Sequence, residues 1–235
     1  MVYVKLVVVG DSNTGKTSFV RSLLKMKHSN YWFLSDELPE PTLGAKVDVF
    51  RHSYKCEFSN DDVHTVELFD IGGSSFYRDI RGVFYTGTDG IIFVYSAARP
   101  NAFTSLLNWI TEVLHKQVQG GEQPVPARIL SSELPLQRET QMPVLVVGTK
   151  LDLVNNWGRV RHFDGILERV LYCDPHAEEI TLSNRIPIAH GSPAFVALNK
   201  FLDRVVLRKT EPIVRTFAGG QRNNPIHKWA SRSSF

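Results

Sequence analysis

The sequence predicts an α/β fold: about six strands in a mostly parallel sheet, with one antiparallel hairpin, flanked by about five helices. Three observations carry that reading. Short apolar runs with the look of buried strands alternate with stretches of helical periodicity, the pattern of a parallel-type sheet covered by helices. Two alternating stretches in the first third of the chain are split by turn residues, which marks a hairpin. The first strand also runs directly into a glycine-containing loop that opens an amphipathic helix.

Taken in order, "YVKLVVVG" (3–10) is a short buried strand, and "KTSFVRSLLKM" (16–26) sets Phe19, Val20, Leu23 and Leu24 on one helical face. "KVDVFRHSYKCEF" (46–58) and "VHTVELFD" (63–70) alternate, and "SNDD" (59–62) turns the chain between them. "GIIFVYS" (90–96) and "MPVLVVGTK" (142–150) are further buried strands, with the helix "NAFTSLLNWITEVLHKQ" (101–117) between them. "RHFDGILERVLYC" (161–173), "EEITLS" (178–183) and "PAFVALNKFLDRVVLRK" (193–209) read as helix, strand and helix.

Residues 1–208 read as one domain. Two segments fall outside the alternation. Residues 118–141, rich in Pro, Gly and Ser, exceed the usual ~12–15 residue length of a structureless connection and read as a flexible surface insert. The sharper alternative is a docking loop whose Ile129, Leu130, Leu134 and Leu136 become buried against a partner. Residues 209–235 read as a basic, disordered tail. Over residues 208–235, Arg208, Lys209, Arg215, Arg222, Lys228 and Arg232 stand against Glu211 alone, while the whole 235-residue chain carries a net charge of just +3. The body is therefore slightly acidic, and no nucleic-acid-binding face is expected. The two cysteines, Cys56 and Cys173, have no zinc spacing or disulfide framework, so a reducing, cytoplasmic setting is expected. No apolar run approaches the ~20 residues of a membrane span.

The chemistry starts at "GDSNTGKT" (10–17), a G-x-x-x-x-G-K-[ST] loop between strand and helix. Gly10 and Gly15 allow backbone N–H groups from Asp11 to Ser18 (Ser12, Asn13 and Thr14 among them) to curl around a β-phosphate, with the helix N-terminus behind them. Lys16 would neutralise β/γ oxygens, and the Thr17 hydroxyl would ligate Mg²⁺. "VVGTKLD" (146–152) bears on the base. A carboxylate just beyond a strand can accept from N1–H and the N2 amine of guanine, whereas adenine offers a lone pair at N1. That assigns Asp152 to guanine, with the Lys150 stem along the base plane.

The order of these motifs, with "PTLG" (41–44) and "DIGG" (70–73) between them, resembles the Ras-superfamily small GTPases. "YRDI", "VFYTGTDGIIFVY" and the Trp109 helix are most similar to the Rab branch, and "TLGAKVDVF", "DIGGS" and "GTKLD" to its third Rab-like subfamily. The resemblance implies a phosphate-loop small G-domain that binds GTP or GDP with Mg²⁺. It implies that Thr42 in switch I joins Thr17 at the metal, that Asp70 holds the metal through water, and that the Gly73 N–H meets the γ-phosphate. Hydrolysis would then depend on Lys16, Thr42, Gly73 and Ser74. Arg78 and Arg81 would lie on a switch II helix face rather than serve as a finger over the phosphate. Effector or regulator proteins would read residues 40–50 and 70–85, and related proteins make a homodimer an expectation.

Four features depart from the pattern. Thr149 stands where the family usually has asparagine, so it cannot form both amide bonds toward base and phosphate loop. Ser183, Asn184 and Arg185 match poorly the Ser-Ala-Lys-type turn that supports guanine. Ser74 replaces the glutamine that orients the attacking water, which implies slow hydrolysis at most. No cysteine follows Cys173, so no prenyl anchor is expected. Tyr31, Trp32 and Phe33 are three open candidates for the aromatic beside the base. The resulting readings are a nucleotide-dependent switch in signalling or trafficking, a GTP-stabilised interaction module with little turnover, and, third, an ATP-using enzyme in which Asp152 plays no part.

Overall fold

The computed structural model describes residues 1–27, 37–54, 62–118, 142–154, 174 and 176–219; at 114–118 and 211–219 only the backbone is described. Six strands form one sheet: β1 (Tyr3–Val9), β2 (Ala45–Tyr54), β3 (Asp62–Ile71), β4 (Gly90–Ser96), β5 (Val144–Thr149) and β6 (Glu178–Thr181). Their spatial order is β2-β3-β1-β4-β5-β6. β2 and β3 pair antiparallel, and every other neighbouring pair is parallel.

The strands read as continuous apolar runs because both sheet faces are covered. Along β1, Val4, Leu6 and Val8 join Phe19, Leu23, Leu198, Phe201 and Val205 on one face. Val7 and Val9 join Phe93, Tyr95, Leu106, Trp109 and Ile110 on the other. Helix α1 (Lys16–Lys27) and helix α3 (Pro193–Gly219) therefore cover the first face, and helix α2 (Ala102–Val118) the second. Full burial of a side chain such as Phe201 contributes about 1.5–3 kcal/mol.

Three α-helices occur among the described residues, fewer than the five expected. The helix expected at 161–173 lies outside the described residues. Switch II holds no α-helix; it forms two short 3₁₀ turns, Ser75–Tyr77 and Arg81–Phe84. The cause is local: Gly72, Gly73, Gly82 and Gly87 with Ser74 and Ser75 give the segment low helix propensity. The last helix continues past residue 208 to Gly219. The 118–141 insert past its first residue, the tail beyond 219, the hairpin turn, both cysteines and the aromatics at 31–33 all lie outside the described residues.

The topology places the site. From β1 the chain fills the sheet to one side with β2 and β3, then crosses to the other side with β4. A crevice opens where such a strand order reverses, at the C-terminal ends of the parallel strands. The register Val8↔Asp70 and Ser96↔Thr149 brings the ends of β1 and β3, and of β4 and β5, to that same edge.

Candidate functional site: a phosphate loop and a base pocket

Between β1 and α1 the chain makes a tight loop that only glycine permits at key points. Gly10 has φ +148°, and a Cβ there would sit 2.0 Å from the Val94 carbonyl oxygen. Asn13 and Gly15 also take positive φ. Lys16 is buried at 6% exposure, and its ammonium donates to the carbonyls of Gly10 and Asp11, both at 2.8 Å. Burial pushes this ammonium down to about 8, although Asp70 and Asp11 pull the other way. A lysine held bent over its own loop is pre-aimed at whatever anion the loop takes.

Three expected metal residues converge. The Thr17 hydroxyl donates to Asp70 Oδ2 at 2.5 Å, the Thr42 hydroxyl reaches the same oxygen at 3.1 Å, and the two hydroxyls lie 3.0 Å apart. Asp70 is fully buried, and its other oxygen, Oδ1, has no hydrogen-bond partner. Burial raises its pKa, opposed by the Thr17 hydroxyl, Lys16 and Thr42. Two hydroxyls and a carboxylate with a spare, dehydrated oxygen form a hard-oxygen donor set that fits a hydrated Mg²⁺. No cluster of three or more His, Cys, Asp or Glu suited to a metal occurs among the described residues.

Switch II closes against the loop. A Cβ on Gly73 would lie 2.4 Å from Gly10 O, Asp11 C and Ser12 N, so only glycine permits this approach. The Gly72 N–H donates to Gly44 O at 2.7 Å, tying the end of switch I to the start of switch II. Ser74 turns away from this cleft's chemistry: its hydroxyl accepts from Phe76 N–H at 3.3 Å, capping its own turn. The cleft between these segments has a volume of about 670 Å³. Ser12, Asn13, Gly15 to Ser18, Thr42, Gly73, Ser74 and Lys150 line it together with residues 38–41.

At the base end, Ser183 Oγ donates to Asp152 Oδ1 at 2.7 Å, and Arg185 Nε lies 3.5 Å from Oδ2. The Ser183 bond is the main reason that the Asp152 pKa falls below the ordinary carboxylate value. Lys150, itself in a left-handed conformation, donates to the Asn13 carbonyl at 2.7 Å and to its side-chain oxygen at 2.9 Å. Buried Thr149 directs its hydroxyl at the Thr14 carbonyl and, at 3.0 Å, the Tyr95 carbonyl. Asn184 Nδ2 donates to Gly15 O at 3.1 Å.

One element of the site left no local signal in the sequence. The Asp11 carboxylate points away from the cleft, accepting from Trp109 Nε1 at 2.8 Å and from the Ser105 hydroxyl. Arg81, only 3% exposed, lies 3.8 Å over the Trp109 ring, forks onto Glu112 and donates to the Ser74 carbonyl at 3.2 Å. It is a buried clamp between switch II and α2, neither an exposed helix-face residue nor a finger.

A mostly parallel sheet, a phosphate loop at its crevice and a carboxylate after the fifth strand together define a phosphate-loop nucleotide-binding domain. Known proteins narrow this. The Ras family model matches residues 5–170. "Rab-like protein 3" of Bos taurus is 34% identical over 218 residues, spanning 88% of this chain and 85% of that protein. Its Homo sapiens counterpart is 33% identical over the same span. "Small GTPase-like protein LIP2" of Arabidopsis thaliana is 29% identical over 205 residues, 78% of this chain and 55% of that protein. The chain belongs to the Ras family of small GTPases, within its Rab-like members.

Proposed function

We propose that this protein is a guanine-nucleotide switch that holds GTP or GDP with Mg²⁺ and hydrolyses GTP slowly unaided, acting in intracellular signalling or trafficking. The observation that carries it is the meeting of Thr17 and Thr42 on one oxygen of Asp70 while the other oxygen stays buried without a partner. Thr17 sits in the first turn of α1 and Thr42 in the loop before β2, so one carboxylate oxygen joins two separate segments at the place where a metal and a phosphate would lie. Mg²⁺, when bound, supplies charge neutralisation between the phosphates. The chain's own residues do the rest: Lys16 and the loop N–H groups grip phosphate, the Gly73 N–H caps its far end, and Asp152, oriented by Ser183, reads guanine.

Slow turnover follows from Ser74. Its hydroxyl is taken by its own turn, its carbonyl by Arg81, and it lacks the length to orient a water over the nucleotide. Single-turnover hydrolysis tests this: Ser74→Ala is expected to leave the rate unchanged and Ser74→Gln to raise it. A wild-type rate matching glutamine-bearing relatives would refute the slow-turnover reading.

The partner surface is expected along the switches. Leu43, Val47, Val49, Phe76, Ile80 and Val83 are large apolar side chains that stand exposed on or beside residues 40–50 and 70–85. Among the described residues no helix is long and apolar enough to cross a membrane. If the protein is instead a GTP-stabilised module, self-association or partner affinity will be equal with GDP and with a non-hydrolysable GTP analogue; a switch gives unequal values.

A further inference from the structure

We propose that Asn184 is the positioning residue that, beside Thr149, couples the guanine pocket to the phosphate loop. This rests on the reading of the site as a guanine-nucleotide site.

A small G-domain must hold its base loop and its phosphate loop at a fixed separation, or the nucleotide is gripped at one end only. Thr149 does part of this. It carries one hydroxyl proton, and the two oxygens within its reach are both main-chain carbonyls, those of Thr14 and Tyr95. Whichever it serves, no donor remains for a second tie. Asn184 supplies that tie from a different strand end. Its carboxamide donates to Gly15 O at 3.1 Å, 169 residues away in sequence. The fit is close, because a Cβ on Gly15 would stand 3.0 Å from Asn184 Nδ2 and 3.3 Å from Thr149 Oγ1. Thr149 and Asn184 thus meet around one residue of the phosphate loop, Gly15, and bond the carbonyls of the two successive peptides that flank its Cα.

The neighbouring bonds give this tie its significance. Asn184 follows Ser183, whose hydroxyl orients Asp152 at 2.7 Å. The turn that aims the base-reading carboxylate is therefore the turn that is fastened to the phosphate loop. Asn184 Oδ1 is moreover buried and unpartnered, and the second N–H of its amide is not engaged by the Gly15 bond. Buried carboxamides are ordinarily satisfied, so an acceptor left bare on a side chain that is bonded to Gly15, a residue of the cleft wall, marks a group whose bonding a ligand can complete.

The test is the dissociation rate of a fluorescent GDP analogue from the full chain with Mg²⁺, in four proteins. Asn184→Ala is expected to speed release about three- to tenfold, the range of one lost hydrogen bond. Asn184→Asp keeps the size but removes both donors and sets a charge against the Gly15 carbonyl, so it should release at least as fast. Thr149→Asn placed in the Asn184→Ala background, where truncation has opened space for the larger side chain, should recover most of the lost lifetime. Unchanged release in both single variants overturns the proposal. So does faster release that Thr149→Asn fails to correct, since a residue that merely packs its turn would not be replaced from β5. If the wild-type chain binds no guanine nucleotide, the site reading itself fails, and the wild-type trace alone reveals it.

Discussion

The two ends of the cleft are built in different materials. The phosphate end is shaped chiefly by backbone: Gly10 at φ +148°, Gly15 at φ +90°, and a Gly73 so close to the loop that a Cβ on it would lie 2.4 Å from Gly10 O and Ser12 N. The base end is made of side chains: Thr149, Lys150, Asp152, Ser183 and Asn184, drawn from the ends of β5 and β6. A site formed from backbone has few chemical solutions, because the φ of +148° at Gly10 and the close approach at Gly73 admit only glycine. A site formed from side chains can reassign a hydrogen bond to another residue. The first kind keeps its spacing in sequence; in the second, Asp152 and Lys150 stand in a readable motif, while the ties made by Thr149 and Asn184 emerge only in three dimensions.

Substitutions can break this contrast, beginning with the most damaging. Gly10→Ala should be the most severe, since its Cβ meets the Val94 carbonyl at 2.0 Å and its φ lies where alanine is strained. Such strain costs about 1–3 kcal/mol before the collision is counted, and the urea midpoint should fall accordingly. Asp70→Asn comes next. It removes the charge from the oxygens that Thr17 and Thr42 address, and Mg²⁺ affinity, read by titration of nucleotide release, should fall about 10–100-fold while the fold survives.

At the base end, Thr149→Ala leaves the Thr14 and Tyr95 carbonyls short of a donor in a fully buried place and should lower stability by about 1–3 kcal/mol. Thr149→Ser keeps the hydroxyl and should lower it far less. Equal losses for Ala and Ser would show that this position acts by volume, not by hydrogen bonding.

The smallest effect is a control from outside the cleft. Lys27 on α1 contacts His52 Nδ1 at 2.8 Å and Asn199 Oδ1 at 2.6 Å, and burial pushes its ammonium down to about 8. In the unfolded chain it holds its proton to near 10.5. Between those values the unfolded state binds more protons, so this group's contribution to stability rises with pH. The difference in urea midpoint between wild type and Lys27→Met should therefore be flat below pH 8 and shift in favour of wild type from pH 8 to 10. Nucleotide release should not change.

How much of this was legible follows the same division. The sheet, the hairpin and the buried face of α1 came from periodicity, because each strand or helix must present apolar residues at its own repeat. The phosphate loop came from glycine spacing. The stack of Arg81 on Trp109 did not, because its members lie 28 residues apart and Asp11 meets Trp109 across 98. Neither contact imposes a local pattern. The helix expected in switch II failed for a related reason: a family analogy assigned it, while four glycines and two serines favoured short turns.

The peptide link from Gly72 to Gly44 has a mechanical consequence. Below it, β2 and β3 are zipped in register from Ala45↔Ile71 down to Tyr54↔Asp62, so this link is the last tooth of the zipper. A pull on either lip therefore bears first on that tooth, and a load on one side of the cleft reaches the other through a single backbone hydrogen bond.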